Sequence, residues 1–506
     1  MNHKLKDILS LLENYEVFGD TNIEICSITQ DSRNVSNNTL FVCIKGYTVD
    51  GHNYISQAIK NGAKAILIEE NIDDSLFIGV SFIKVFSTKK ALEIIAPHFY
   101  DYPAKKLRMI GITGTNGKTT TSYLIRNILM AKGHKVGLMG TIENLIDNEK
   151  FETKNTTPEV IELQETLAKM VDKNIEYAVT EVSSHALKLN RIAGSEYDVA
   201  IFTNISRDHL DFHLTFDDYL ESKALLFSSL TNENNVKKNK TAIINIDDPS
   251  IDTILKATKS KIITFSAKSD ADIKAENIQI NSLGTSFSLT TPLNKEPITL
   301  NLKITGLFNV YNVLAAIGAT IAEGIDLDTI IKSLESFNSV DGRFELVNEG
   351  QNFAVIVDYA HTPDGMENVL KTALEFAEGR IIVVFGCGGD RDKTKRPLMG
   401  KMAVKYGDII LATSDNPRTE DPTAILQDIE VGIKEELNSG QDKMSKTYEI
   451  IPDRKSAIEK AVSIAQEKDI IMILGKGHET YQILKNETIH FDDREIARLY
   501  IQNKLK

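Results

Sequence analysis

Along this 506-residue chain, short runs rich in valine and isoleucine alternate with stretches whose apolar residues recur at helical spacing. That alternation predicts strands joined by crossover helices, and hence parallel sheets. In the N-terminal stretch, strands are expected at "IEICSI" (23–28), "TLFVCI" (39–44), "AKAILIEE" (63–70) and "SFIKVF" (81–86). Helices are expected at "ISQAIKNG" (55–62) and "KKALEIIAPHF" (89–99), and "DYPAKK" (101–106) reads as a linker.

A second series opens with "LRMIGIT" (107–113) and continues through "YAVTEVS" (177–183), "DVAIFTNI" (198–205), "AIINID" (242–247) and "KIITFS" (261–266). It closes with "IQINSLGTSFSLTTP" (278–292), whose alternation predicts an antiparallel hairpin, and the helical pattern "FNVYNVLAAIGATIAEG" (308–324). Around "FNSVDGRFE" (337–345) the pattern restarts with "FAVIVDYA" (353–360), "IIVVFG" (381–386), "DIILATS" (408–414), "YEIIPD" (448–453) and "IIMILG" (470–475). The restarts predict an α/β protein with domains 1–107, 108–338 and 339–506, since a chain of this length exceeds one core. Ligands of open α/β sheets bind beyond the carboxyl ends of the strands, so the polar residues there are the candidates for chemistry.

Composition narrows the class. With 42% hydrophobic and 25% charged residues the chain reads as globular, and no apolar run reaches the roughly 18 residues of a membrane span. Charges run through the start, "MNHKLKDILSLLENYE", where a signal peptide would be apolar, so a soluble, cytoplasmic protein with no membrane partner is expected. A net charge of −13 disfavours nucleic acid. Cys26, Cys43 and Cys387 lack metal-site spacing and read as reduced, buried thiols.

"GITGTNGKTTT" (111–121) lies between an apolar strand and an amphipathic helix, the context of a phosphate-binding loop. Glycines let backbone N–H groups close on phosphate oxygens, Lys118 reaches the β- and γ-phosphates, and Thr119 can ligate Mg²⁺ at the positive helix end. ATP is the expected nucleotide. The strict pattern would need glycine where Ile112 stands; glycines fall at 111, 114 and 117 instead.

Two neighbouring strand ends carry further groups: Glu181 with Ser183, Ser184 and His185, then Asp208, His209, Asp211 and His213. Each alone reads equally as a helix cap or a solvated loop; together, near a P-loop threonine, they could hold Mg²⁺ against a triphosphate. By spacing alone Lys223, in "DDYLESKALLF" (217–227), is a solvated helical lysine. In "SDNPRTEDP" (414–422), Pro417 presets the backbone from which Arg418 leaves, and the bland reading pairs Arg418 with Glu420 or Asp421.

Taken in order, "GTNGKTT", "NTTP", "EVSSH", "NISRDHLDFH", "YLESK", "GRFE", "DYAHTPDGM", "FGCGGDRDKTKRPLMG", "DNPR" and "GKGHE" resemble the Mur ligases over nearly the whole chain. The resemblance implies an N-terminal α/β domain that grips a UDP-sugar, a central P-loop ATPase domain with a mostly parallel sheet, and a C-terminal Rossmann-like domain that delivers an amino acid. It also implies a reaction of cytoplasmic peptidoglycan precursor synthesis. ATP phosphorylates the D-Glu γ-carboxylate of UDP-N-acetylmuramoyl-L-alanyl-D-glutamate, and the amine of meso-diaminopimelate attacks the acyl phosphate.

Residue by residue, the resemblance assigns Gly114, Thr115, Asn116, Gly117, Lys118, Thr119 and Thr120 to ATP, joined by Asn309, Arg343, Asp358 and His361. Lys118, Glu181, His209 and Lys223 are the implied catalytic group. Thr119, Glu181, His209 and Lys223 are the implied Mg²⁺ ligands, Lys223 after carbamylation by CO2. Ser32, Asn155, Thr156, Thr157, Ser183 and Arg191 would hold the nucleotide-sugar peptide. Arg391, Asp415, Asn416, Pro417, Arg418, Gly475 and Glu479 would hold diaminopimelate. Here Arg418 has a purpose, because a planar guanidinium grips the carboxylate that distinguishes diaminopimelate from lysine. Glu420 and Asp421 then position the loop. A monomer is expected. The competing readings are an L-lysine-adding form of the same ligase and a P-loop ATPase switch.

Overall fold

The computed structural model describes all residues except 1, 47–48, 72–78, 154, 210–211, 233–234, 282–283 and 440–444, so Asp211 lies outside the described residues. The chain forms two compact units, Met1–Phe265 with Ala315–Asp326, and Ser266–Leu314 with Leu327–Lys506. No helix among the described residues is long and apolar enough to cross a membrane.

Among the described residues the first unit holds two large sheets beside a two-stranded one, His3–Lys4 with Glu24–Ile25. One runs Glu16–Phe18, Ser81–Lys84, Ala63–Ile68, Thr39–Val42, Ser27–Thr29, parallel except for its antiparallel first strand. Leu40, Val42, Ala65 and Leu67 face one apolar cluster and Phe41, Ile66 and Ile68 another, so both faces are covered, as a parallel sheet requires.

The other sheet runs Glu149–Phe151, Asn144–Ile146, Val136–Met139, Tyr177–Glu181, Arg108–Thr113, Val199–Phe202, Thr241–Asn245, Lys261–Ser266. The six strands from Val136–Met139 to Lys261–Ser266 in this order are parallel. Arg108–Thr113 comes first in sequence yet lies inside the sheet, between Tyr177–Glu181 and Val199–Phe202. The connections therefore reverse direction beside it, and the loops after Thr113, Glu181 and Phe202 emerge together at one carboxyl edge, the switch point where α/β sheets bind ligands.

The second unit contains an antiparallel set, Ile273–Asn281, Gly284–Thr291 and Asn294–Leu302, one strand more than the expected hairpin. Its main sheet runs Glu345–Leu346, Ala354–Asp358, Ile470–Leu474, Ile381–Phe385, Ile409–Ala412, Thr447–Ile450, parallel but for the first strand. Ile381, Val383 and Phe385 pack on one face and Ile382 and Val384 on the other. The three central strands thus deliver the loops that begin at Gly475, Gly386 and Thr413 side by side.

Cys43 and Cys387 are buried, whereas Cys26 is only partly so, a departure from the expected set of buried thiols. All three are free, and burial pushes the Cys387 thiol up to about 12, so it is inert.

Candidate active site

Gly114 and Gly117 explain the glycine spacing of the phosphate loop. Gly114 has φ +153, and a Cβ there would stand 1.9 Å from Thr203 Oγ1, while Gly117, at φ +86, precedes the helix Lys118–Ala131. The backbone is therefore free to wrap an anion at the helix N-terminus. Lys118 Nζ donates to the carbonyls of Gly114 and Thr115, both at 2.9 Å. A Gly114→Ala variant is expected to weaken ATP binding about tenfold or more, because the loop must shift to seat the methyl. Nucleotide titration of the folded variant checks it; unaltered affinity would mean the loop does not close on phosphate.

Glu181, at the end of its strand, is buried and accepts from Thr119 Oγ1 at 2.9 Å, Thr141 N at 3.0 Å and Thr141 Oγ1 at 2.9 Å. A carboxylate thus meets the P-loop hydroxyl at the phosphate edge. Thr156 Oγ1 lies 3.1 Å from Thr141 Oγ1, and Thr157 Oγ1 donates to the Glu181 carbonyl at 2.9 Å and accepts from Ser183 N at 3.0 Å. Nothing in the local sequence pattern marks Thr141 for this role.

This oxygen donor set suits a hard cation. Among the described residues no group of three or more His, Cys, Asp or Glu could cage a metal alone. The Glu181 carboxylate and the Thr119 hydroxyl are hard oxygen donors of the kind Mg²⁺ takes beside phosphates and water. His209 sits at φ +54, its Nε2 3.5 Å from Asp208 Oδ2 and its ring against His185 (4.8 Å) and Tyr219 (6.0 Å). The neighbouring His213 is buried, with Nε2 2.9 Å from Ser184 Oγ and Nδ1 3.3 Å from Asp218 Oδ2.

Lys223 corrects the reading from spacing alone. It is 1% exposed, with Nζ donating to the Gly114 carbonyl at 2.8 Å and lying 4.5 Å over the Tyr219 ring. The Tyr219 hydroxyl in turn reaches Thr115 Oγ1 at 3.0 Å. Burial first, and then repulsion from Lys118, push the Lys223 amine well below the usual lysine range. Desolvation thus favours the neutral, nucleophilic amine beside the phosphate loop.

Of the other residues expected to bind substrate in this unit, Asn155 accepts from Thr153 Oγ1 at 2.7 Å through its carbonyl. Arg191 pairs with Glu159 at 2.9 Å. Ser32 is buried in a short turn of the first sheet, its hydroxyl donating to Gln57 at 3.2 Å.

In the second unit, Asp358 is a buried strand-end cap: its oxygens accept from Phe344 N at 2.7 Å and Ala360 N at 2.8 Å. Burial raises its pKa, against the pull of Arg343. The Arg343 guanidinium lies 5.2 Å over the Tyr359 ring, which also meets the His361 ring at 4.6 Å. Asn309 is buried on its helix, donating to Thr305 O at 2.9 Å.

Three strand ends of the second unit bring the remaining residues together. Asn416 Nδ2 donates to Glu479 Oε2 at 2.8 Å, and its Oδ1 accepts from Lys476 Nζ at 3.2 Å and Ile483 N at 2.9 Å. Lys476, which the sequence reading passed over inside "GKGHE", is buried and also lies 3.1 Å from Glu479. A Cβ on Gly475 would come within 2.7 Å of Asp415 Oδ2, so these loops touch. Arg454, fully buried on Asp493, donates to the carbonyls of Ser414 (3.4 Å) and Leu474 (3.0 Å), just before Asp415 and Gly475.

Arg418 sits at φ +51, a conformation that costs a non-glycine residue on the order of 1–2 kcal/mol. Its Nη1 donates to Gly389 O at 2.9 Å, and a Cβ on Gly388 would lie 2.8 Å from that nitrogen and 3.7 Å from Arg391 Cγ. Arg391 and Arg418 thus flank one glycine. Among the described residues Arg418 makes no ion pair, so the bland pairing gives way: Asp421 caps the helix Pro422–Leu437, and Glu420 binds Arg396 and Lys393. The Arg396 guanidinium holds the Glu420 carboxyl down at about 2.

Family models match three consecutive parts of the chain: "Mur ligase family, catalytic domain" over 24–100, "Mur ligase middle domain" over 112–320, and "Mur ligase, glutamate ligase domain" over 342–477. The chain is 48% identical over 502 residues to the UDP-N-acetylmuramoyl-L-alanyl-D-glutamate–2,6-diaminopimelate ligase of Bacillus cereus, covering 99% of each. It is 48% identical over 498 residues to that of Clostridium botulinum, covering 98% of this chain and 99% of the relative. A solved structure of a ligase of the same name superposes with a TM-score of 0.70 at 30% identity, covering 100% of each chain.

Proposed function

This chain belongs to the Mur ligase family, and from that premise we propose that it joins meso-diaminopimelate to the D-Glu γ-carboxylate of UDP-N-acetylmuramoyl-L-alanyl-D-glutamate, with ATP cleaved to ADP and phosphate through an acyl phosphate from which the attacking amine displaces the phosphate. The observation that carries this reading is 48% identity over nearly the whole length to a diaminopimelate ligase, supported by Arg418, which makes no ion pair among the described residues, on a strand-end loop beside Asn416 and Glu479. The protein would act in the cytoplasm as a monomer of three domains, 1–107, 108–338 and 339–506, making peptidoglycan precursor.

A carboxylate is a poor electrophile, and the two anionic reactants repel. In the proposed mechanism the loop from Gly114 to Thr120 seats the ATP phosphates, with Lys118 swinging from the loop carbonyls to the transferred phosphoryl group. By the family resemblance, Asn309, Arg343, Asp358 and His361 would contact the nucleotide. Mg²⁺, held by Thr119, Glu181, His209 and a modified Lys223, would offset the charge that accumulates on the phosphoryl oxygens. The Lys223 lone pair attacks the carbon of CO2, a C–N bond forms, and the amine proton leaves to water; the resulting carbamate is an oxygen ligand where an ammonium could not be one.

Ser32, Asn155, Thr156, Thr157, Ser183 and Arg191 would orient the nucleotide-sugar peptide so that its γ-carboxylate meets the γ-phosphate. Asp415, Asn416 and Glu479 would take the polar groups of the amino acid, with Gly475 allowing close approach and Pro417 fixing the turn. Arg418 and Arg391 would grip its distal carboxylate. Mass spectrometry of the product tests the reading. The expected species is the substrate plus diaminopimelate minus one water, formed only with ATP; a stable phosphorylated dipeptide or no new species would refute it.

A further inference from the structure

Arg396 is 1% exposed, in the first turn of the helix Lys395–Tyr406, and no part of the reaction above requires a cation there. Its guanidinium clamps both oxygens of Glu420, at 2.9 and 3.1 Å, and reaches Asp428 at 2.8 Å and Gly388 O at 3.5 Å. Glu420 passes the restraint on by accepting from Asp390 N at 2.6 Å. Asp390 accepts from Thr419 at both carboxylate oxygens, 2.7 and 3.2 Å.

The clamp therefore joins the loop that bears Arg391 to the loop that bears Arg418. Asp390 (φ +54) and Arg418 (φ +51) both hold left-handed conformations unusual for side-chain-bearing residues, one on each loop. Such conformations persist only where neighbouring contacts over-determine them. Further contacts are backbone to backbone: Gly389 N donates to Asn416 O at 2.9 Å, and a Cβ on Gly389 would stand 2.0 Å from Pro417 O.

We propose that Arg396 is a positioning residue for diaminopimelate recognition, holding the two loops together through Glu420 so that Arg418 is aimed before the amino acid arrives. The inference rests on the reading of Arg418 given above. Preorganisation of this kind acts on amino-acid capture and leaves the phosphoryl-transfer edge of the other unit untouched.

The test compares kcat and KM for meso-diaminopimelate, ATP and the nucleotide-sugar peptide in Arg396→Met, Arg396→Lys, Glu420→Gln, Arg418→Ala and the Arg396→Met/Arg418→Ala double variant. Arg396→Met is expected to raise the diaminopimelate KM between about tenfold and a hundredfold, with the ATP KM within about twofold. Glu420→Gln should act in the same direction, and Arg396→Lys should recover part of the loss. The double variant should be little worse than Arg418→Ala alone, since both changes remove one function.

If Arg396→Met does not fold, Glu420→Gln carries the comparison, because it keeps one oxygen as the acceptor for Asp390 N and removes the charge and the second acceptor that Arg396 clamps. The proposal is overturned if both single variants leave the diaminopimelate KM unchanged, if all three KM values rise together, or if the double variant shows fully additive losses. An unchanged diaminopimelate KM in Arg418→Ala would refute the underlying reading as well, a result distinct from failure of the clamp alone.

Discussion

Replacing Lys223 with alanine is expected to lower kcat between about a hundredfold and a thousandfold, the scale of losing one preorganised electrostatic group at a reacting centre. Formate or acetate should restore part of the activity by occupying the space of the missing carbamate. The expectation follows from burial: Nζ sits against Gly114 O, under Tyr219, and is held well below the ordinary lysine range by desolvation. Lowering the pH toward protonation of the amine should reduce carbamate occupancy, so isotopically labelled CO2 should label wild type more strongly at higher pH. Full activity of the alanine variant without added carboxylate would show that Lys223 serves only to brace the loop.

Arg418→Ala is expected to cut kcat/KM for meso-diaminopimelate about a thousandfold, or ~4 kcal/mol, while ATP binding survives. The distal carboxylate proposed to lie there would lose its bidentate partner and keep only Arg391, since Lys476, the other cation nearby, is committed to Asn416 and Glu479. The same arithmetic rejects L-lysine in the wild type, since seating it would leave the guanidinium desolvated without a carboxylate. Isothermal titration with ATP and initial rates with diaminopimelate check both halves. A loss of ATP affinity of similar size would place Arg418 in the nucleotide site instead.

Much of the fold was legible because parallel strands buried on both faces are near-continuous apolar runs. "LRMIGIT", "YAVTEVS" and "IIMILG" became the strands Arg108–Thr113, Tyr177–Glu181 and Ile470–Leu474. Their order in the sheets was not legible, since pairing depends on crossovers whose length alone does not choose a side. The short strands Val136–Met139 to Glu149–Phe151 also escaped, being only three or four residues each.

At the site, the phosphate loop announced itself through glycines whose left-handed backbone and close approach leave a sequence signature. Lys223 did not, because burial of a helical lysine depends on what packs over it, here Tyr219 and the Gly114 carbonyl; only the family resemblance singled it out. Arg396 and Thr141 were invisible for the same reason. Their importance lies in partners 24 and 40 residues away, Glu420 and Glu181.

Whether this chain adds diaminopimelate is decided by ADP release with UDP-N-acetylmuramoyl-L-alanyl-D-glutamate and either meso-diaminopimelate or L-lysine in parallel. ADP should form with diaminopimelate, stoichiometric with new amide bond, and run at least about a hundredfold slower in kcat/KM with lysine. Equal or faster turnover with lysine, or ADP release that needs neither the peptide nor an amino acid, would contradict diaminopimelate addition.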